Sequence, residues 1–330
     1  MPHNDFAPVI PPEGALRFVM PSAYIGLGGY AKAVFPRLDA HFQQHYGGRP
    51  DCLPMTIFDF DEAQAGVSSH GQGFSTQPYL RALPKKPLLD FARKMRGKHQ
   101  QTHTFLQRFT PYVDFAHVHA VEAPGLNLFV QSGNLAWRLV WEHHVLPDLT
   151  SKLQLLHPAP HAQGQLERQG LVASARSAIW VIAGGGSTTG PTGLIPMLCE
   201  LKRLKPPQTN LFAVVFTPAA YRDKTTHHQV KGRAIFRATL TQLLAIYDGQ
   251  EFDQPYGTNG HRIALHEEPF DQLFLVDGSL MGGRTTLSTD ELAELVALFL
   301  YQVAVGPIGE RLLGLIGNLN PDAQEAQHAH

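Results

Sequence analysis

Cysteine is scarce: Cys52 and Cys199 are the only two in 330 residues, far apart and in no CxxC pair. That excludes a disulfide framework and a cysteine-caged zinc site. An excess of either charge is also absent, with 27 Lys and Arg against 28 Asp and Glu. Without a basic excess there is no electrostatic footprint for non-specific nucleic-acid or membrane binding. Near-neutrality leaves little repulsion between copies, so self-association is open. Long apolar runs are missing too. The longest, Leu295 to Gly306, spans 12 positions and is broken by Gln302, whereas a membrane span needs about 20. The opening MPHNDFAPVIPPEG has no basic start and no apolar segment, which predicts no signal peptide. The expectation is a soluble cytoplasmic protein. With 43% hydrophobic residues it has the material for a large core, and wholesale disorder is ruled out.

What is present alternates between strand and helix signals. LRFVMPSAYIG reads as a first strand, GLGG follows, and Tyr30 to Tyr46 carries Ala33, Val34, Leu38 and Phe42 at helical spacing. Leu53–Asp61 reads as a second buried strand ending in acids, completing a βαβ unit. Short helices are expected near Leu88–Met95 and Thr102–Phe109. Asn134 to Leu156 is helical with a kink at Pro147, and 157–175 reads as a polar linker. Ser177–Gly186 is a buried strand running into a second glycine turn, followed by helix to Leu204. Leu211–Pro218 is a continuous apolar strand of the kind buried on both faces of a parallel sheet. Val230–Tyr247 is helical, Asp248–Gly260 a loop, and RIALH and QLFLVDG two more strands. Thr289–Val305 closes as a helix, with Ser288 placed to cap it. Strands alternating with helices predict a doubly wound α/β fold with a mainly parallel sheet.

Two glycine-rich turns carry the chemistry. Glycines let backbone N–H groups approach an anion, and the N-terminus of the following helix adds a favourable dipole. The first is Gly26-Leu27-Gly28-Gly29; its expected third glycine is Ala31, so the dinucleotide fingerprint is incomplete. Read alone, it is equally a tight strand–helix turn with no ligand. The second, Gly184-Gly185-Gly186-Ser187-Thr188-Thr189-Gly190, packs four glycines and three hydroxyls into seven positions. It has no lysine at the spacing of a Walker loop and is no nucleophile elbow.

The order of GLGG turn, strand ending in DFDEAQ, mid-chain Gly/Asn element, GGGSTTG and LFAVVFTP resembles the tubulin/FtsZ superfamily. It is most similar to bacterial tubulin-like proteins of uncharacterised role. Gly184–Gly190 matches that family's GGGTGTG phosphate loop except at Thr188, where the family has glycine. APGLNLFVQSGN resembles its mid-chain segment, with Gly125 and Gly133 kept and Asn134 in place of an arginine. Pro218 and Asp223 match the ribose-contacting loop, and the likeness runs from about residue 16 to 317.

The resemblance implies GTP or GDP bound with Mg²⁺, the metal oriented through water by Asp59 or Asp61. It also implies self-association into filaments and weak, assembly-dependent GTPase activity. Gly26, Gly28 and Gly29 would line one side of the phosphates, and Gly184, Gly185, Gly186, Ser187, Thr188, Thr189 and Gly190 the other. By position alone, Asp248 and Asp253 are the acids a neighbouring copy would receive, although both read more simply as solvated loop acids. The implied organisation is a leader over 1–15 and a nucleotide-binding domain over 16–228. A core helix over 229–248, a reduced C-terminal subdomain over 249–317 and a tail over 318–330 follow.

Three departures favour an alternative, a non-enzymatic scaffold with a degenerate site. Ala31 and Thr188 add a Cβ where backbone must approach phosphate, and Ile235 or its neighbours stand where the family's core helix begins with a base-stacking Asn. A third alternative follows from Asp59-Phe60-Asp61 after GLGG, which resembles ThiF-like adenylating enzymes or an NAD(P)-linked Rossmann enzyme; both leave GGGSTTG unexplained. The 18 histidines, including His99 with His103, His117 with His119, His143-His144 and His227-His228, lack the Glu of HExxH and any carboxylate cluster. They read as surface or core histidines.

Overall fold

A computed structural model of the chain describes residues 17–61, 80–96, 109, 111–113, 130–157, 160–220, 226–279, 287–306, 308–309, 311–312 and 314. Its centre is a six-stranded sheet of β2 (Ser22–Leu27), β3 (Met55–Asp59), β4 (Leu80–Ala82), β6 (Ser177–Gly184), β7 (Thr209–Phe216) and β10 (Gln272–Val276). Every neighbouring pair is parallel, and the spatial order is β10-β7-β6-β2-β3-β4. Counting only these strands along the chain gives the order 3-2-1-4-5-6 of dinucleotide-binding folds. In that arrangement the winding reverses between β2 and β6, and a crevice opens at their carboxyl ends.

The central strands are buried on both faces, and their side chains divide by strict alternation. Ile179, Val181 and Ala183 of β6, with Leu211, Ala213 and Val215 of β7, enter one core. Ala178, Trp180, Ile182, Phe212, Val214 and Phe216 enter the other. The first core is shared with α3 (Val130–Val140), α4 (Leu146–Gln154) and α6 (Thr189–Leu204). The second is shared with α1 (Gly29–Tyr46) and α8 (Thr289–Val305). Helices therefore cover both faces, as double winding requires.

Several elements differ from the sequence expectation for physical reasons. The helical run after residue 130 is interrupted by one π turn, Trp141–Val145, immediately before Pro147. Proline has no N–H to give to residue 143, and the widened turn absorbs the lost bond. The expected linker 157–175 contains α5 (Pro160–Arg168) and β5 (Leu171–Ala173), and β5 pairs in parallel with β1 (Arg17–Val19). The expected loop 248–260 contains β8 (Phe252–Pro255), antiparallel to β9 (Arg262–Leu265). The core helix, α7 (Thr226–Tyr247), begins four residues earlier than its apolar pattern. Helix α2 (Lys86–Arg96) and α8 fall where they were expected. The helix expected at Thr102–Phe109 lies outside the described residues except at Phe109.

Candidate functional site

Both glycine turns leave the carboxyl ends of adjacent parallel strands, at the reversal of winding. The first follows β2, where the Gly28 N–H donates to the Phe58 carbonyl at 3.1 Å, and Gly28 sits at φ +78°. Only glycine adopts that backbone without strain. The second follows β6, where the Gly185 N–H donates to the Phe216 carbonyl at 2.8 Å. The two turns touch. A Cβ on Gly28 would lie 3.3 Å from the Cβ of Thr189, and one on Gly190 would collide with the carbonyl oxygen of Gly184.

Each turn opens a helix whose end has no side-chain cap. Gly28, with no side chain, is the N-cap of α1, and Thr188, whose side chain accepts no capping bond, is that of α6; neither first turn holds an acid. Helix α8 is different: Ser288 and Glu291 form a complete capping box. The positive ends of α1 and α6 are thus left for something other than the chain's own side chains. Buried polar atoms near the same rim also go unsatisfied. Thr188 Oγ1, Gln131 Oε1 and Thr217 Oγ1 have no partner. Thr217 directly follows Phe216, which is in register with Gly184.

The mid-chain element reaches the second turn through Gly133, where a Cβ would come 2.7 Å from Thr188 Cγ2 and 2.7 Å from Thr192 Oγ1. Four residues on, the Trp137 indole N–H donates to the Thr189 carbonyl at 3.3 Å. Asn134 lies beside Gly133 on α3, half-buried. On the other side, α7 seats on the turn: a Cβ on Gly232 would lie 3.0 Å from the Gly186 carbonyl, and one on Gly185 would strike the Phe236 ring.

Asp59 closes the crevice at the end of β3. Its Oδ2 lies 2.8 Å from Lys32 Nζ, and its Oδ1 accepts from the Thr189 hydroxyl at 3.1 Å and the Asp61 N–H at 3.3 Å. Lys32 also donates to the Asp61 carbonyl at 3.0 Å.

Of the residues singled out by sequence, Gly26, Gly28, Gly29, Asp59, Gly133 and Gly184 to Gly190 come together. Gly26 does so from beneath, because a Cβ there would collide with Ala31. Ala31 is itself fully buried, so its methyl points into the core and not at a ligand. Thr188 packs against Gly133 in the same way. Gly125 and Asp223 lie outside the described residues. Asp248 follows the far end of α7, about 24 Å along the helix from Gly232. Asp253, on β8, is ion-paired to Arg262 at 2.9 Å. Ile235 is buried in α7 beside Phe236. Lys32, Gln131, Trp137, Thr217, Gly232 and Phe236 are among the site residues the sequence reading missed. Only Gly232 left a trace there, as an isolated glycine inside a helical pattern.

The residues fit a phosphate-bearing ligand: two uncapped helix ends, glycines where side chains would block approach, and orphaned hydroxyls. They fit a divalent cation oriented through Asp59 poorly, because Oδ1 already accepts two hydrogen bonds and Oδ2 faces the Lys32 ammonium, whose charge would repel the ion. Among the described residues, no group of three His, Cys, Asp or Glu is placed to hold a metal, and no helix is long and apolar enough to cross a membrane.

No protein-family model matches the chain, nor does any curated protein. Among solved structures, it is similar to CetZ2 from Haloferax volcanii as a GTPγS-bound protofilament, with TM-score 0.43 and 13% identity over 86% of this chain and 58% of that one. It is also similar to CetZ from Methanosaeta thermophila, with TM-score 0.39 and 12% identity over 86% and 54%. GDP-form protofilaments of TubZ from Bacillus thuringiensis serovar israelensis give TM-score 0.38 and 11% identity over 87% and 55%. The chain spans less than three fifths of the length of each of these.

Proposed function

We propose that the chain binds a purine nucleotide, GTP in the first instance, in the crevice between the β2 and β6 turns. The observation that carries this reading is the meeting of two glycine turns, each opening an uncapped helix, at the reversal point of a 3-2-1-4-5-6 parallel sheet. The preference for guanine rests on the resemblance of Gly184–Gly190 to the tubulin/FtsZ phosphate loop. Self-association, with hydrolysis completed between copies by acids such as Asp248 or Asp253, rests on the same resemblance. Asp223 and Gly125 are assigned by it to the ribose and mid-chain contacts.

A second reading, a scaffold that binds no nucleotide, is favoured by the seating of α7 on Gly185 and Gly186 through Phe236 and Gly232. An NAD-linked or adenylating enzyme is less well supported, because Asp59, the acid that would face a ribose or a metal, is held by Lys32 and Thr189.

Thermal unfolding with and without nucleotide separates these. A ligand that binds only the folded chain adds about 2.7 kcal/mol of stability at 100 times its Kd. GTP is expected to give such a shift, with ATP and NAD giving less. A scaffold gives no shift with any of them.

A further inference from the structure

The geometry points to nucleotide binding that needs no divalent cation, with the Lys32 ammonium occupying the place beside Asp59 that a metal would take. This rests on the nucleotide-binding reading above and goes further, to how the site's charge is balanced.

Several groups at this crevice have the chemistry to hold a hydrated divalent ion, the Asp61 carboxylate and the Thr188 hydroxyl among them, and two are tied up within the chain. One is the Asp59 carboxylate at the end of β3. The other is the Thr189 hydroxyl, at the first helical residue after the second turn. The chain joins them to each other at 3.1 Å and joins Asp59 to Lys32 at 2.8 Å. The Asp61 carbonyl, a third hard oxygen, accepts from the same ammonium at 3.0 Å. Lys32 Nζ thus holds two of the oxygen donors a magnesium shell would recruit, and the Thr189 hydroxyl is spent on the same carboxylate. Both charged side chains are nearly buried, at 10% and 7% exposure, so solvent screens them little. A divalent ion brought to Asp59 would face the ammonium at close range across a poorly screened site.

The position of Lys32 in its helix agrees. A cation one turn into α1 stands at the end where the helix dipole favours anions. The Asp59 pair explains its presence there, and the same charge stands beside the turn assigned to the phosphates.

The test is equilibrium binding of a fluorescent GTP analogue to stripped protein, once with millimolar Mg²⁺ and once with EDTA. The expected Kd values agree within about threefold, whereas a fall in affinity of more than about tenfold in EDTA overturns the inference and leaves the nucleotide reading standing. No binding in either buffer overturns both. Lys32→Met opens the carboxylate to a metal, and its binding is expected to become Mg²⁺-dependent by about tenfold or more, while Lys32→Arg keeps the wild-type independence. Mg²⁺-independent binding by a folded Lys32→Met protein also overturns the assignment. Should that variant fail to fold, the wild-type comparison decides alone.

Discussion

Trp137 and Thr189 are joined by the indole N–H of one and the backbone carbonyl of the other, 3.3 Å apart. The same ring fills the space left by Gly193 and meets Phe60 and Trp141 edge-on, at 5.3 and 5.8 Å between centroids. An edge-to-face aromatic cluster centred on Trp137 of α3 therefore braces the start of α6, the helix whose N-terminus is left uncapped at the crevice.

Trp137→Phe keeps an aromatic ring but removes the donor and leaves a small void. It is expected to lower unfolding stability by about 1–3 kcal/mol and to weaken GTP binding. Urea denaturation and nucleotide titration measure the two separately. Lost stability with unchanged affinity would mean that the bond does not position the turn.

Gly29 and Gly190 make a contrasting pair. A Cβ on Gly29 meets nothing within 4 Å, whereas one on Gly190 strikes the Gly184 backbone. Gly29→Leu is expected to change stability by no more than about 0.5 kcal/mol and to reduce nucleotide affinity sharply. Gly190→Ala is expected to destabilise the fold itself. A Gly29→Leu protein that binds GTP as tightly as wild type would remove the first turn from the site.

Thr188 presents a buried hydroxyl with no partner. Thr188→Val keeps the shape and removes the unsatisfied oxygen, so the unliganded protein is expected to gain about 1 kcal/mol or more. If the hydroxyl waits for a phosphate oxygen, affinity falls in the same variant. Higher melting temperature with weaker binding supports the assignment; higher melting temperature with unchanged binding places the hydroxyl outside it.

Much of the sheet is legible in the sequence, for a reason visible in β2, β3, β6 and β7. Strands buried on both faces read as continuous apolar runs, and glycine turns mark two of their ends. The short strands are not legible in this way. β1 lies within the stretch that reads as one strand with β2 but pairs in a separate sheet with β5, about 150 positions away in the expected linker, and β8 is recognised only through its pairing with β9. Local pattern holds no record of such partners. The site divides along the same line. Its glycines and Asp59 can be read from strand–turn–helix order, but the Lys32 pair and the Trp137 bond are tertiary contacts between residues 27 and 52 positions apart. The inward direction of the Ala31 methyl is likewise fixed only by packing under Gly26.

Hydrolysis, if it is completed between copies, depends on protein concentration. Phosphate release per chain is expected to rise as the chain is concentrated, together with pelletable material, and Asp248→Ala with Asp253→Ala is expected to lower it. A turnover per chain that stays constant across the range would separate any hydrolysis from assembly.

The most direct measurement is to strip the purified protein by denaturation, identify any released nucleotide by chromatography, and titrate the refolded chain with labelled GTP, ATP and NAD. Released guanine nucleotide and saturable binding that favours GTP are the predicted result. A refolded chain that binds none of the three, or that prefers NAD, would contradict the assignment of the β2–β6 crevice to a purine nucleoside triphosphate.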